Sequence, residues 1–299
     1  MTRRHVLSVL GGAAEVFAQE PEPRIAIWYG PRQRFGRLGR PQRWVNLLGS
    51  VSPAGRIARL EFSINGGEWR RLSIGPNLER LASPGDFNAE LAWEELDEGL
   101  NRVVFRAANR DGLWTEATVE VECFPDTRWP LPYRVDWPDV QSIPDAVQVV
   151  DGRWHLRPEG VRTLDPYYDR IVAIGDMNWA DYWVSADVTF HGFPGPKPGP
   201  PQFNVNHAGI GLRWRGHAND GRQPRTQWYP LGAATEFTLR PELTECRWRI
   251  LPGPPARPVY AAQPFAIELE RPYRLKADVV TLAGGRHRYR TKIWPAGAD

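Results

Sequence analysis

An all-β chain of two domains is the architecture this sequence predicts. Period-2 alternation of apolar and polar residues recurs between clusters of Gly, Pro, Asn and Asp, the pattern of half-buried strands punctuated by turns. No stretch carries the i, i+3, i+4 repeat of an amphipathic helix. The length of 299 residues, at roughly one domain per 150, fits two domains, each long enough to bury its own core.

In the first half, Ala58, Leu60, Phe62 and Ile64 alternate with Arg59, Glu61, Ser63 and Asn65. Asn65-Gly66-Gly67 then supplies residues that accept positive φ, so the chain is expected to reverse and return as a strand over Glu68 to Ile74. Val103, Phe105 and Ala107 point one way before the turn Asn109-Arg110-Asp111-Gly112, and Ala117, Val119 and Val121 continue beyond it. Several short strands joined by such turns describe an immunoglobulin-like sandwich over residues 24–124. The runs Phe62 to Trp69, Gly99 to Val103 and Ala107 to Gly112 resemble the Ig-like modules of bacterial surface proteins. The Cys…Trp…Cys spacing of antibody domains is missing, and the resemblance implies a spacer or a partner surface and no chemistry.

A Pro-rich connection, 125–144, contains Trp129-Pro130-Leu131-Pro132 and Trp137-Pro138 and has little periodicity. Strands are expected after it at Val147 to Val150, Arg153 to Leu156, Ile171 to Ile174, Asp181 to Phe190, Gly209 to Arg215, around Phe237, and at Cys246 to Ile250, Tyr273 to Leu282 and Arg288 to Trp294. A Pro/Gly-rich loop, Gly192 to Pro201, follows the longest of the early ones. The runs Val150 to Trp154, Tyr168 to Arg170, Asp181 to Val184, Gly209 to Trp214 and Tyr289 to Trp294, in this order and spacing, resemble the concanavalin-like or laminin-G-like jelly roll of bacterial extracellular proteins. The resemblance implies a lectin-like, carbohydrate-binding domain over 145–299. Because such domains continue past the equivalent of Lys292-Ile293-Trp294, a chain stopping at Asp299 is expected to be truncated or to have that sheet edge covered by a neighbour.

Charge and composition narrow the partners. Thirty-eight Lys+Arg against 35 Asp+Glu leave a net charge of +3, too weak for nucleic-acid binding, and no apolar run reaches the ~18 residues of a membrane helix. Arg carries the positive charge, since only Lys197, Lys276 and Lys292 are lysines. Fourteen tryptophans suit either sugar-binding faces or sandwich cores. Residues 1–23 read as an export signal and linker: Arg3-Arg4 precedes a short apolar stretch, Val9 to Ala14, with a cleavage site after Ala18, although Glu15 interrupts it. The expected location is therefore secreted, periplasmic or cell-surface. With one cysteine per domain, Cys123 and Cys246, a disulfide framework is excluded.

Strand parity selects the candidate binding face. Tyr182, Val184, Ala186, Val188 and Phe190 form an apolar set, leaving Trp183, Asp187 and His191 opposite. Ile210, Leu212 and Trp214 are expected in the core, with Arg213 and Arg215 outside, and Arg290, Lys292 and Trp294 share the face opposite Tyr289 and Ile293. If these strands share one sheet, its outer face gathers Trp183, Asp187, His191, Arg213, Arg215, Arg290, Lys292 and Trp294. Aromatic rings bury the apolar face of a sugar while Arg, Asp and His bond its hydroxyls or carboxylates. An ordinary solvated antiparallel face has the same alternation, so both readings stand.

Enzymatic motifs are sparse. The Glu-x-Asp-x-x-Glu strand of jelly-roll glycosidases is absent, as are Gly-x-Ser-x-Gly, Walker and dinucleotide patterns. His207 and His217 are ten positions apart, about 33 Å if extended, too far to share a zinc. Asp165, Asp169, Asp176, Asn178 and Asp181 are the one oxygen-rich cluster suited to Ca2+, with turn-forming roles as the alternative; no other cofactor is expected. The leading expectation is a non-catalytic exported protein that binds a glycan, an acidic polysaccharide given the basic face. An adhesive module that binds a surface protein is the second, and a sugar-active hydrolase using Asp187 with His191 is the third.

Overall fold

The computed structural model describes residues 21–166, 168–192, 206–228 and 231–298 and is all-β, as the alternation predicts. The export-signal residues 1–20, most of the Gly192 to Pro201 loop with Lys197, and Asp299 lie outside the described residues.

Two sheets build the first half. One holds β1 (Arg24–Ile27), β3 (Trp44–Ser52) and β6 (Asp86–Ala92) in the order β1-β3-β6; the other runs β2-β8-β7-β4-β5, from β2 (Arg32–Phe35), β8 (Trp114–Cys123), β7 (Gly99–Asn109), β4 (Ile57–Ile64) and β5 (Arg70–Arg71). Between them Phe62, Phe87 and Phe105 are fully buried, with ring centroids of Phe105 at 6.1 Å from Phe62 and 5.2 Å from Phe87. The expected reversal is present, with φ of 50° at Asn65 and 76° at Gly66. Two expectations need correction. The returning strand keeps only Arg70 and Arg71, because the residues beyond leave the edge toward the second half, where the Ser73 amide donates to the Gln223 carbonyl at 3.1 Å. Ala58 is exposed, because the β4–β7 register shifts between Ile57 and Arg59 and makes it the extra residue of a bulge.

In the second half, β9 (Gln148–Asp151) pairs with β12 (Ile171–Ala173), and β10 (Trp154–Arg157) with β11 (Gly160–Thr163). Two larger sheets follow. The first has the order β13-β18-β19, from β13 (Tyr182–Thr189), β18 (Pro272–Thr281) and β19 (His287–Pro295); the second has β14-β15-β16-β17, from β14 (Asn206–Leu212), β15 (Ala233–Leu239), β16 (Arg247–Pro252) and β17 (Val259–Tyr260). They pack face to face. Phe190, Tyr273, Leu275 and Ile293 of the first meet Phe237 and Trp248 of the second, and Leu212 meets Ala277 and Val279.

The two halves share a third core in which Leu48 of β3 packs with Ile143, Ala146, Val147 and Val149. Consequently β3 and β6 are buried on both faces, the inner one by phenylalanines and the outer one by the second half of the chain. Cys123 and Cys246 are free thiols in separate cores.

Candidate functional site

The β13-β18-β19 sheet delivers the parity expectation for five of the eight predicted residues. Its outer face reads as three rungs set by register. Trp183 lies beside Asp278 and Arg290, Ser185 beside Lys276 and Lys292, and Asp187 beside Arg274 and Trp294. Arg274, Lys276 and Asp278, absent from the expected set, occupy the central strand between the two that supply it. Trp183 is 65% exposed.

Each charge on the face has a distinct environment. Arg274 grips Asp187 through two hydrogen bonds, 2.7 and 2.8 Å, and this donation holds the Asp187 carboxyl below its usual range. Arg290 Nε donates to both oxygens of Asp278 at 3.0 and 3.1 Å. The lysines differ: Lys276 Nζ sits 4.6 Å from the Trp183 ring centroid and Lys292 Nζ 5.1 Å from that of Trp294, and neither has a carboxylate partner among the described residues. Like charges opposed on adjacent strands repel, so this pair costs the sheet stability and leaves two uncompensated cations on an exposed face. Asp187 and Asp278 face outward four residues apart in register, about 13 Å, each neutralised by an arginine. That exceeds the roughly 6.5–9.5 Å separation of inverting glycosidase carboxylates, so the pair does not fit two-carboxylate hydrolysis.

Three predicted residues lie elsewhere. β14 belongs to the opposing sheet and ends at Leu212, where Arg213 turns the chain with φ of 54°. Arg213 then reaches across to the carbonyl of Ala180, the Thr281 hydroxyl at 2.8 Å and Asp181 at 3.1 Å, fastening the rim. The Arg215 carbonyl accepts from the Arg43 amide at 3.2 Å, which places it at the contact with the first sandwich. His191 lies past the end of β13, its Nδ1 in a 2.7 Å hydrogen bond with Glu270. Trp214 is half-buried away from Ile210 and Leu212, because the turn at Arg213 ends the strand parity; its ring packs 5.0 Å from both His217 and Trp228.

The five-residue Ca2+ cluster also disperses. Asp165 pairs with Arg153 at 3.0 Å, Asp176 accepts from Asn178 in a local turn, Asp181 caps Thr281, and Asp169 is buried beside His217. Among the described residues no three His, Cys, Asp or Glu side chains converge as metal ligands.

A second concentration of polar groups, unforeseen from sequence, fills the contact between the halves. Arg80, fully buried, donates to Glu90 at 2.8 Å and to Asp151 at 2.8 Å, and Asn88 reaches the same Asp151 oxygen at 3.1 Å. Burial pushes the Asp151 carboxyl up to about 6 despite Arg80. His217, equally buried, meets Asp169 at 3.3 Å; burial, aided by Arg80, drives its imidazole down to about 2, while burial and the nearby Asp151 raise the Asp169 carboxyl well above its ordinary value against the pull of Arg80. These side chains are inaccessible, and the Arg80 bridge from Glu90 to Asp151 fastens the first half of the chain to the second. Their only sequence signal is the polar set Asn46, Asn88 and Glu90 on strands that otherwise read as half-exposed.

No protein-family model matches the chain, and no curated protein matches it.

Proposed function

We propose that the protein is an exported, non-catalytic binding protein whose second domain, similar to a concanavalin-like or laminin-G-like jelly roll, holds an acidic polysaccharide on the outer face of the β13-β18-β19 sheet. The observation that carries this reading is the cross-strand pair Lys276 and Lys292, opposed without carboxylates and flanked by Trp183 and Trp294. Two cations side by side suit successive carboxylates or sulfates of a chain, and the rings offer apolar area to the pyranose faces between them. Export rests on the Arg3-Arg4 leader read from the sequence.

Affinity electrophoresis against a polyuronate and a neutral glucan tests the reading. The polyuronate should retard the protein, the retardation should fade with added salt as exposed cations are screened, and Trp183→Ala should remove most of it. Indifference to every acidic and neutral polysaccharide overturns the proposal.

A protein-binding role is the second reading, and it rests on β19, which among the described residues pairs only with β18 and offers its other edge to a strand from a partner. Light scattering that finds a strict monomer, with no envelope protein captured, counts against it.

A further inference from the structure

A cleft of about 200 Å3 lies where the first sandwich meets the segment that follows the Pro-rich connection, lined from one part by residues 29–48 and from the other by Trp129 and residues 142–149. The close approach is built into the backbone: a Cβ on Gly39, whose φ is 142°, would lie 2.9 Å from the Cβ of Trp129. At the ~30 Å3 that a water occupies in the liquid, the space equals about seven waters, below the ~300 Å3 at which sites for larger ligands begin.

Amides with unfilled hydrogen-bonding capacity line it, beside three arginines and an aspartate. Gln33, 5% exposed, donates through Nε2 to the carbonyls of Trp28 and Gly30, both at 3.0 Å, and its Oε1 has no partner among the described residues. Gln148, 8% exposed, uses Nε2 on the Trp44 carbonyl at 2.7 Å and likewise leaves Oε1 open. Trp129, 5% exposed and held edge-on to Tyr133 at 5.2 Å, has a buried Nε1 with no partner. The arginines around the cleft are already matched: Arg32 with Glu120 at 2.7 Å, Arg34 with Glu122 at 3.1 Å, and Arg37 with Asp145 at 3.6 Å, the last joining the two parts of the lining.

We propose that this cleft is a binding site for a small uncharged polyhydroxy compound, about the size of one hexose. Two open acceptors call for a ligand that donates hydrogen bonds, as hydroxyls do and as a carboxylate does not, and the arginines beside the cleft disfavour an ammonium. The paired arginines give an anion no advantage, and the apolar part of the lining, with Leu38 and Leu48, suits the C–H surface of a sugar ring. The site is separate from the sheet face proposed above and does not depend on it.

Saturation-transfer NMR on the full chain with D-glucose, D-galactose and D-mannose at millimolar concentration, and D-glucuronate as the charged control, decides the matter. Transfer to at least one hexose, with weaker transfer to glucuronate, is expected. Ser142→Trp, a change at an exposed residue of the lining that fills the cleft, should weaken binding at least tenfold, as should Gln148→Met. The proposal is overturned by silence from all three hexoses, by a preference for glucuronate, or by hexose transfer that survives Ser142→Trp. Because Ser142 is exposed, its variant stays informative even if Gln148→Met fails to fold.

Discussion

Trp183 and Trp214 carry opposite consequences although both lie near the same end of the second sandwich. Trp183 is 65% exposed and makes its one ring contact with Lys276, so Trp183→Ala should change stability by less than about 1 kcal/mol while weakening polyuronate binding tenfold or more. Trp214 packs on His217 and Trp228, and its truncation opens a gap at the contact between the halves; at half burial, Trp214→Ala should cost about 2 kcal/mol in urea unfolding. His217 adds a pH dependence. Its folded imidazole stays neutral down to about 2, whereas in the unfolded chain it takes a proton near 6.5. The stability this neutrality confers is complete above pH 6.5 and is lost as pH falls. The stability difference between His217→Gln and the wild type should therefore move in the variant's favour by up to about 1.4 kcal/mol per unit between pH 6 and 4. Asp151, raised to about 6, acts in the reverse sense because the folded state gains its proton first, so the comparison between proteins is more informative than the wild-type curve alone.

At the scale of elements, the opposed lysines on β18 and β19 set stability against binding. Lys276→Glu converts a repulsive cross-strand pair with Lys292 into an attractive one and should stabilise the sheet by about 0.5 kcal/mol, read as a small rise in urea midpoint. The same change should abolish polyuronate retardation, and a variant that keeps it would remove the lysine pair from the site. β3 illustrates the tolerance of a doubly covered strand. A Cβ on Gly49 would strike the Ala26 carbonyl and the Phe87 ring, so Gly49→Ala should cost about 1–3 kcal/mol or block folding.

Across the whole molecule, the Arg80 network ties the first half of the chain, through Glu90, to the second, through Asp151. Arg80 bridges Glu90 and Asp151, and Arg80→Met takes that cation from both buried carboxylates while Glu90 keeps Arg225 at 3.5 Å; a loss of about 3 kcal/mol is expected. Calorimetry should then resolve two transitions where one is expected of the wild type, because the contact between the halves, and not either core, has been weakened. A single transition at an unchanged temperature would show that the network contributes nothing to the coupling.

Local chemistry determined much of this protein from sequence. The Asn65-Gly66 reversal, the inward set Leu60, Phe62 and Phe105, and the outward set Trp183, Asp187, Arg290, Lys292 and Trp294 all follow from backbone preference and the alternation of side chains along a strand. Only the tertiary structure decided what lies against each face. Asn46, Asn88 and Glu90 alternate like solvent-facing residues, yet they are buried because a second half of the chain packs on them. Arg213 and Arg215 left the predicted face because β14 joins the opposing sheet and parity ends at the turn after Leu212. Arg274, Lys276 and Asp278 entered it because β18 pairs between β13 and β19. Periodicity is a property of a few neighbouring residues, whereas strand order and the covering of a face depend on contacts between residues up to a hundred positions or more apart, which no local pattern encodes.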